Sequence, residues 1–113
     1  MTPEQSDLVE RIRALLTGEA AVREVSMFGG RSFMVNEKMI VSVRKDGGLL
    51  VRVAADRQDE LAARPGARHA QMGAGRDMGP GWIQVDPGAI ADEQGLASWV
   101  ALALEHNRAV TGG

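Results

Sequence analysis

The sequence predicts an α+β fold: a mainly antiparallel sheet with its helices gathered on one face. Three observations carry that prediction. Residues 27–53 read as three short strands joined by two tight turns and entered through Gly29-Gly30. Both ends of the chain carry apolar residues at helical spacing. Between them, a short helical stretch and a further strand are closed off by Pro65-Gly66 and Pro87-Gly88. The order is helix, strands, helix, strands, helix, and strands linked by hairpins pair antiparallel.

Each element has its own signals. Thr2 is placed to cap the first helix, Pro3 suits its first position, and Gln5 stands where a capping-box partner belongs. Leu8, Val9, Ile12, Leu15 and Leu16 form its core-facing stripe, and Gly18 ends it. Residues 23–27 alternate polar and apolar, which leaves a further short strand there open. Arg31–Val35 and Lys38–Arg44 are strands separated by Asn36-Glu37. Asn tolerates the left-handed backbone of a two-residue hairpin turn, whereas Glu37 sits where Gly is preferred. Lys45-Asp46-Gly47-Gly48 is the stronger turn, and Leu49–Ala54 follows as a strand.

Asp56 is expected to cap a short helix running to about Ala63. Residues 72–81, rich in glycine, are expected as a loop beside a short edge strand. Gly81–Asp86 is the last strand. Asp92 caps a helix with the stripe Leu96, Trp99, Val100 and Ala103, and Thr111-Gly112-Gly113 is a frayed tail. Alternation places Met39, Val41, Val43, Leu49, Val51, Val53, Ile83 and Val85 on the helix-covered face. It places Ile40, Ser42, Arg44, Leu50, Arg52, Trp82 and Gln84 on the other.

The totals exclude several classes. A chain of 113 residues, 44% of them hydrophobic, is expected to be one domain, 1–113, with one real core. Zero cysteines exclude disulfides, thiolate metal sites and a cysteine nucleophile, and fit a reducing cytoplasm. No stretch approaches the roughly 20 apolar residues of a membrane span, and the polar, acidic N-terminus is not a secretory signal. Ala-, Gly- and Arg-rich usage suits a GC-rich bacterial genome. The net charge of -2 is unevenly spread: residues 23–76 hold ten Lys/Arg against six acids, residues 77–113 one Arg against five acids. A basic middle of this kind can steer an anionic partner.

The string Met27-Phe28-Gly29-Gly30, followed by Phe33-Met34-Val35-Asn36 and Leu50-Val51-Arg52-Val53, resembles the N-terminal domain family of the TfoX/Sxy competence regulators. Arg64-Pro65-Gly66-Ala67, Met78 with Gly81-Trp82, and Leu96 with Trp99-Val100 extend the likeness to residues 8–105. The resemblance implies a two-layer α/β sandwich in the order α-β(3)-α-β(2)-α. It also implies a bacterial, cytoplasmic protein related to regulators of DNA-uptake genes. Those regulators carry a second, helix-hairpin domain, which this chain is expected to lack, leaving a stand-alone N-terminal domain. Within the family motif, Met27, Phe28, Gly29, Gly30, Phe33 and Trp99 are expected to be structural.

No residues are assigned as catalytic, cofactor-binding or metal-ligating. Gly29-Gly30 reads as a tight bend. The run Gly73–Gly79 has the wrong glycine spacing for a phosphate loop and lacks its Gly-Lys-Ser/Thr ending. His69 and His106 have no carboxylate-rich metal spacing around them. Asp59-Glu60 and Asp92-Glu93 are sequence neighbours whose side chains diverge on a helix. No serine stands in a nucleophile elbow. The polar candidates are Arg44 and Arg52, which share a sheet face and can hold an anion or a carboxylate, with Trp82 beside them. The candidate interaction surface is therefore Ile40, Arg44, Leu50, Arg52 and Trp82. It is expected to meet a protein partner, most simply a second copy of the chain. The resulting expectation is a small regulatory or adaptor module with no cofactor, metal or membrane partner. Direct nucleic-acid binding through the basic middle is the alternative. A concave pocket joining Arg52, His69 and Trp82 would instead favour a small-ligand binder or an enzyme.

Overall fold

The structure, a computed structural model, describes residues 2–27, 29–73 and 76–112. Helix α1 (Pro3–Leu15) opens with the expected capping box. Thr2 Oγ1 accepts from the Gln5 backbone N–H at 3.2 Å, and Gln5 Oε1 accepts from Thr2 N–H at 2.9 Å. The box satisfies two donors that a helix start otherwise leaves open. Gln5 is itself buried. Its Nε2 donates to the carbonyls of Gly29 and Arg44, at 3.1 Å each. One side chain thus ties the helix start to two points of the sheet.

Four strands follow: β1 (Val22–Met27), β2 (Gly30–Val35), β3 (Lys38–Val43) and β4 (Leu49–Arg52). The strand left open at 23–27 is a full edge strand, paired with β2 from Val22–Val35 to Met27–Gly30. Asn36 and Glu37 have φ of 52° and 65°, the two left-handed residues of a type I′ hairpin turn. After β4, a 3-10 turn (Ala55–Arg57) leads into α2 (Gln58–Ala62). Asp56 lies inside that turn and makes no capping bond, so its expected cap role is not met.

β5 (Ala67–His69), a short strand at the sheet edge, precedes a two-stranded ribbon, β6 (Gln71–Gly73) and β7 (Arg76–Asp77), where a loop beside a short edge strand is expected from sequence. β8 (Trp82–Val85) and helix α3 (Glu93–Thr111) complete the chain. Asp92 Oδ1 accepts from Gly95 N–H at 2.9 Å and caps α3 as expected. The helix includes Thr111, whose hydroxyl donates to the Asn107 carbonyl at 2.8 Å; the expected fraying does not begin there.

The sheet is antiparallel throughout, in the order β1-β2-β3-β4-β8-β5. Its strands thus come as four before α2 and two after it, with the ribbon apart. Leu8, Val9, Ile12 and Leu16 from the α1 region, Leu61 of α2, and Leu96, Trp99, Val100 and Leu104 of α3 join one core. They pack with Phe33, Val41, Val43, Leu49, Val51, Ile83 and Val85. All three helices therefore cover the same face. Each large side chain buried here contributes about 1.5–3 kcal/mol.

One irregularity shapes the other face. The β2–β3 register passes from Phe33–Val41 directly to Met34–Met39, leaving Ile40 as an extra residue on β3. Such a bulge shifts the alternation by one. Ile40 and Val41 both turn into the core, 1% and 0% exposed. The expectation that Ile40 faces outward and Met39 inward is thus reversed at both residues: Met39 lines a groove on the outer face.

Candidate functional site

The outer face of the sheet is built by register. Ser42 stands beside Leu50, Leu50 beside Gln84, and Arg52 beside Trp82. Ser32 and Ser42 pair their hydroxyls at 3.0 Å across β2 and β3. The ribbon end arches over this face: Gln71 and Met78 join Ser32, Met39, Ser42, Arg44, Lys45 and Leu50 around a groove of about 590 Å³. Leu50 is therefore 9% exposed, a groove floor rather than an open patch. Val22 and Val110 are the exposed large hydrophobics among the described residues. The expected apolar cluster of Ile40, Leu50 and Trp82 does not stand open to solvent. Arg44 sits on the groove wall with its Nε 3.6 Å from the Asp46 carboxylate. That Nε is buried and has no hydrogen-bond acceptor among the described residues.

A second cavity lies where β3 and β4 part. Their ladder ends at Val41–Val51, because the bulge removes the partner that Arg52 would otherwise meet. The cleft there is about 420 Å³ and is lined by Met34, Glu37, Lys38, Met39, Arg52 and Trp82, with Ala103, His106, Asn107 and Val110 of α3 behind. The Arg52 guanidinium lies over the Trp82 ring, 4.8 Å from its centre, and donates to the Pro80 carbonyl at 3.3 Å. His106 is pushed below the ordinary histidine pKa, first by burial and then by the charge of Arg52, with Asp56 acting in the opposite sense. Asn107 is spoken for: its Nδ2 donates to the Val35 carbonyl at 2.9 Å, and its Oδ1 receives Asn36 Nδ2 at 3.4 Å.

The structure therefore brings Arg52 and Trp82 together in a concave site, but with His106 rather than His69. His69 is on β5, its Nε2 3.3 Å from the exposed Asp59. Glu60 pairs with Arg57 and Glu93 with Arg11. Elsewhere Glu24 bridges Arg13 and Arg31, at 2.6 Å and 3.0 Å. The hydrogen bond from Arg13, joined by Arg31, holds its carboxyl below the usual carboxylate range against the opposing effect of burial. Of the glycine run 73–79, Ala74 and Gly75 lie outside the described residues. Among the described residues no three His, Asp or Glu side chains gather as a metal site, and no helix is long and apolar enough to cross a membrane.

His106 and Gln5 escape sequence reasoning for different reasons. His106 flanks the α3 stripe beside Ala103 and Asn107, and the polar Asn107 on that stripe is the available signal that α3 does more than pack. Gln5 is masked by its capping role.

A profile of the TfoX N-terminal domain matches residues 14–107. The chain belongs to the TfoX N-terminal domain family. This relates it to competence-regulator-like proteins. Comparison with curated proteins returns no match. In this TfoX N-terminal domain the motif residues Phe33 and Trp99 are core, 0% and 4% exposed. Arg64 covers the Trp99 ring at 5.4 Å. Gly30 lies against the β3 backbone, where a β-carbon would meet the Val43 carbonyl oxygen. Phe28 lies outside the described residues.

Proposed function

We propose that the chain is a cytoplasmic regulatory module that acts through protein contacts made by the outer face of its sheet. The observation that supports this most directly is the groove beneath the ribbon. It combines an apolar floor at Leu50 and Met39 with the partly exposed guanidinium of Arg44 on its wall. An acidic or carbonyl-bearing segment laid along the groove would meet that guanidinium's exposed N–H groups. The occupant is a protein segment, from a second copy or from another chain.

The nucleic-acid alternative finds less support. Within the basic stretch 23–76, Arg23, Arg31, Arg44 and Arg57 each face an acid of the same stretch. Arg68 pairs with Asp86. Five of the ten basic residues of the stretch thus face acids, which breaks up any continuous strip that could track phosphates.

A photo-crosslinking side chain placed at Lys45, on the groove rim, and separately at Ala101, on the outer side of α3, tests the proposal in living cells. Protein adducts from position 45 and none from position 101 are expected. Equal labelling from both sites, or none from either, would count against the groove.

A further inference from the structure

We propose that the cleft between β3 and β4 binds a small oxyanionic molecule, its carboxylate or phosphate on Arg52 and its apolar part against Met34 and Met39. This goes beyond the protein-contact reading and concerns a different cavity, although Met39 borders both.

The cleft is built rather than incidental. It exists because Ile40 is diverted into the core and the β3–β4 ladder stops at Val41–Val51. Its volume, about 420 Å³, falls in the range of metabolite-sized sites. Arg52 is fixed from three sides before any ligand arrives. The Trp82 ring lies under it, the Pro80 carbonyl takes one N–H, and the Gly81 backbone passes so close that a β-carbon there would sit 3.0 Å from Nη1. A guanidinium held this way has given up its rotamer freedom already, which lowers the cost of binding. Among the described residues it faces no carboxylate within ion-pair distance. Its planar fork suits carboxylate or phosphate oxygens in two-point contact.

The surrounding charges agree. Lys38 shares the cleft and has no ion-pair partner among the described residues. Among the described residues the single acid in the lining, Glu37, is turned to Arg23 at 2.7 Å. His106 faces Arg52 from β4 and Asp56 from the 3-10 turn, and its depressed protonation reflects burial first and the arginine charge second. An anion on Arg52 would offset that charge and make imidazolium easier to form. Met34, Met39 and Trp82 supply the apolar surface that a bare ion would not need.

The test is an NMR titration of the full chain with phenyl phosphate and with benzoate, using benzyl alcohol as the uncharged control. The indole N–H signals separate the two tryptophans, and Trp99, buried under Arg64, serves as internal reference. Saturable movement of Trp82 but not Trp99 is expected with at least one anion and not with the alcohol. Which anion binds tells phosphate from carboxylate ligands. His106 should titrate at higher pH in the bound state. Arg52→Gln should weaken binding by about tenfold or more, and Arg52→Lys by less, because the charge stays while the fork is lost. Should Arg52→Gln not fold, Lys38→Gln at the rim is expected to weaken the anion about two- to threefold, as loss of one rim charge does. No saturable shift at millimolar anion, equal binding of the alcohol, or affinity unchanged in every folded variant would overturn the proposal. Groove crosslinking at position 45 is unaffected by any of these results, so the two readings fail separately.

Discussion

Replacing Gly30 by alanine adds one methyl group at the tightest point of the sheet. A β-carbon there would lie 2.0 Å from the Val43 carbonyl oxygen and 3.2 Å from the Val43 carbonyl carbon. Carbon needs about 3.5 Å to a non-bonded heavy atom, so the first contact falls short by more than about 1 Å. Both partners are backbone, and no rotamer relieves them. β2 and β3 must separate around the Arg31–Val43 pair. Overpacking of this kind costs about 1–3 kcal/mol or more. Loosening one or two ladder hydrogen bonds adds about 0.5–1.5 kcal/mol each. The expected loss is about 3–5 kcal/mol, from a total near 6–17 kcal/mol for a chain of this length. Urea unfolding measures it as a lower midpoint with an unchanged slope. Gly29→Ala is the matched comparison. Gly29 has φ of 78°, but a β-carbon there meets only the Lys45 side chain, at 3.3 Å or more. It should cost about 1–2 kcal/mol, the left-handed penalty alone. A loss below about 1 kcal/mol for Gly30→Ala, or a larger loss at Gly29, would refute the steric argument.

Glu37→Gly should stabilise the chain by a few tenths to about 1 kcal/mol in the same unfolding assay, since the left-handed turn is relieved and only an exposed pair with Arg23 is lost. Gln5→Leu should destabilise by about 2–4 kcal/mol, because the Gly29 and Arg44 carbonyls lose their donor and α1 loses half its capping box; thermal melts of this variant beside Thr2→Ala separate the two effects. Glu24 titrates lower in the folded chain than in the unfolded one, so its contribution is present above the ordinary carboxylate range and disappears as pH falls through the folded value. The gap in melting temperature between wild type and Glu24→Gln should therefore be full near neutrality and shrink toward strong acid. A gap that stays constant with pH would contradict the Arg13–Glu24–Arg31 bridge.

Local signals made most of the fold legible. The Thr2 box, the Asp92 cap, the Asn36-Glu37 turn and the stripes of α1 and α3 each depend on residues a few positions apart, and each forms as read. The inner faces of β4 and β8 follow strict alternation and are buried accordingly. What escaped depends on distant partners. Ile40 reads as outward by alternation, and only the register against β2 turns it inward. Leu50 reads as open because the ribbon that roofs it comes some twenty residues later, in a glycine-rich stretch with little periodicity. The same holds for the candidate site. Arg52 and Trp82 could be paired from strand order, whereas His106 joins them only because α3 passes behind the gap between β3 and β4.

The diverted residue at position 40 has an evolutionary corollary. Deleting it would leave Val41 pointing inward and Met39 outward, with Phe33–Val41 and Met34–Met39 now consecutive rungs of a regular ladder. Neither the Asn36-Glu37 turn nor the Lys45–Gly48 turn would need to change. A single-codon indel could therefore switch this sheet between a version with an interior opening and a version zipped shut, at the cost of one buried isoleucine. Relatives one residue shorter between these two turns are expected to have a closed β3–β4 seam and an arginine at position 52 flanked by strand on both sides. Chain length across one hairpin, rather than the identity of any cleft residue, is the character that would sort the family into those two groups.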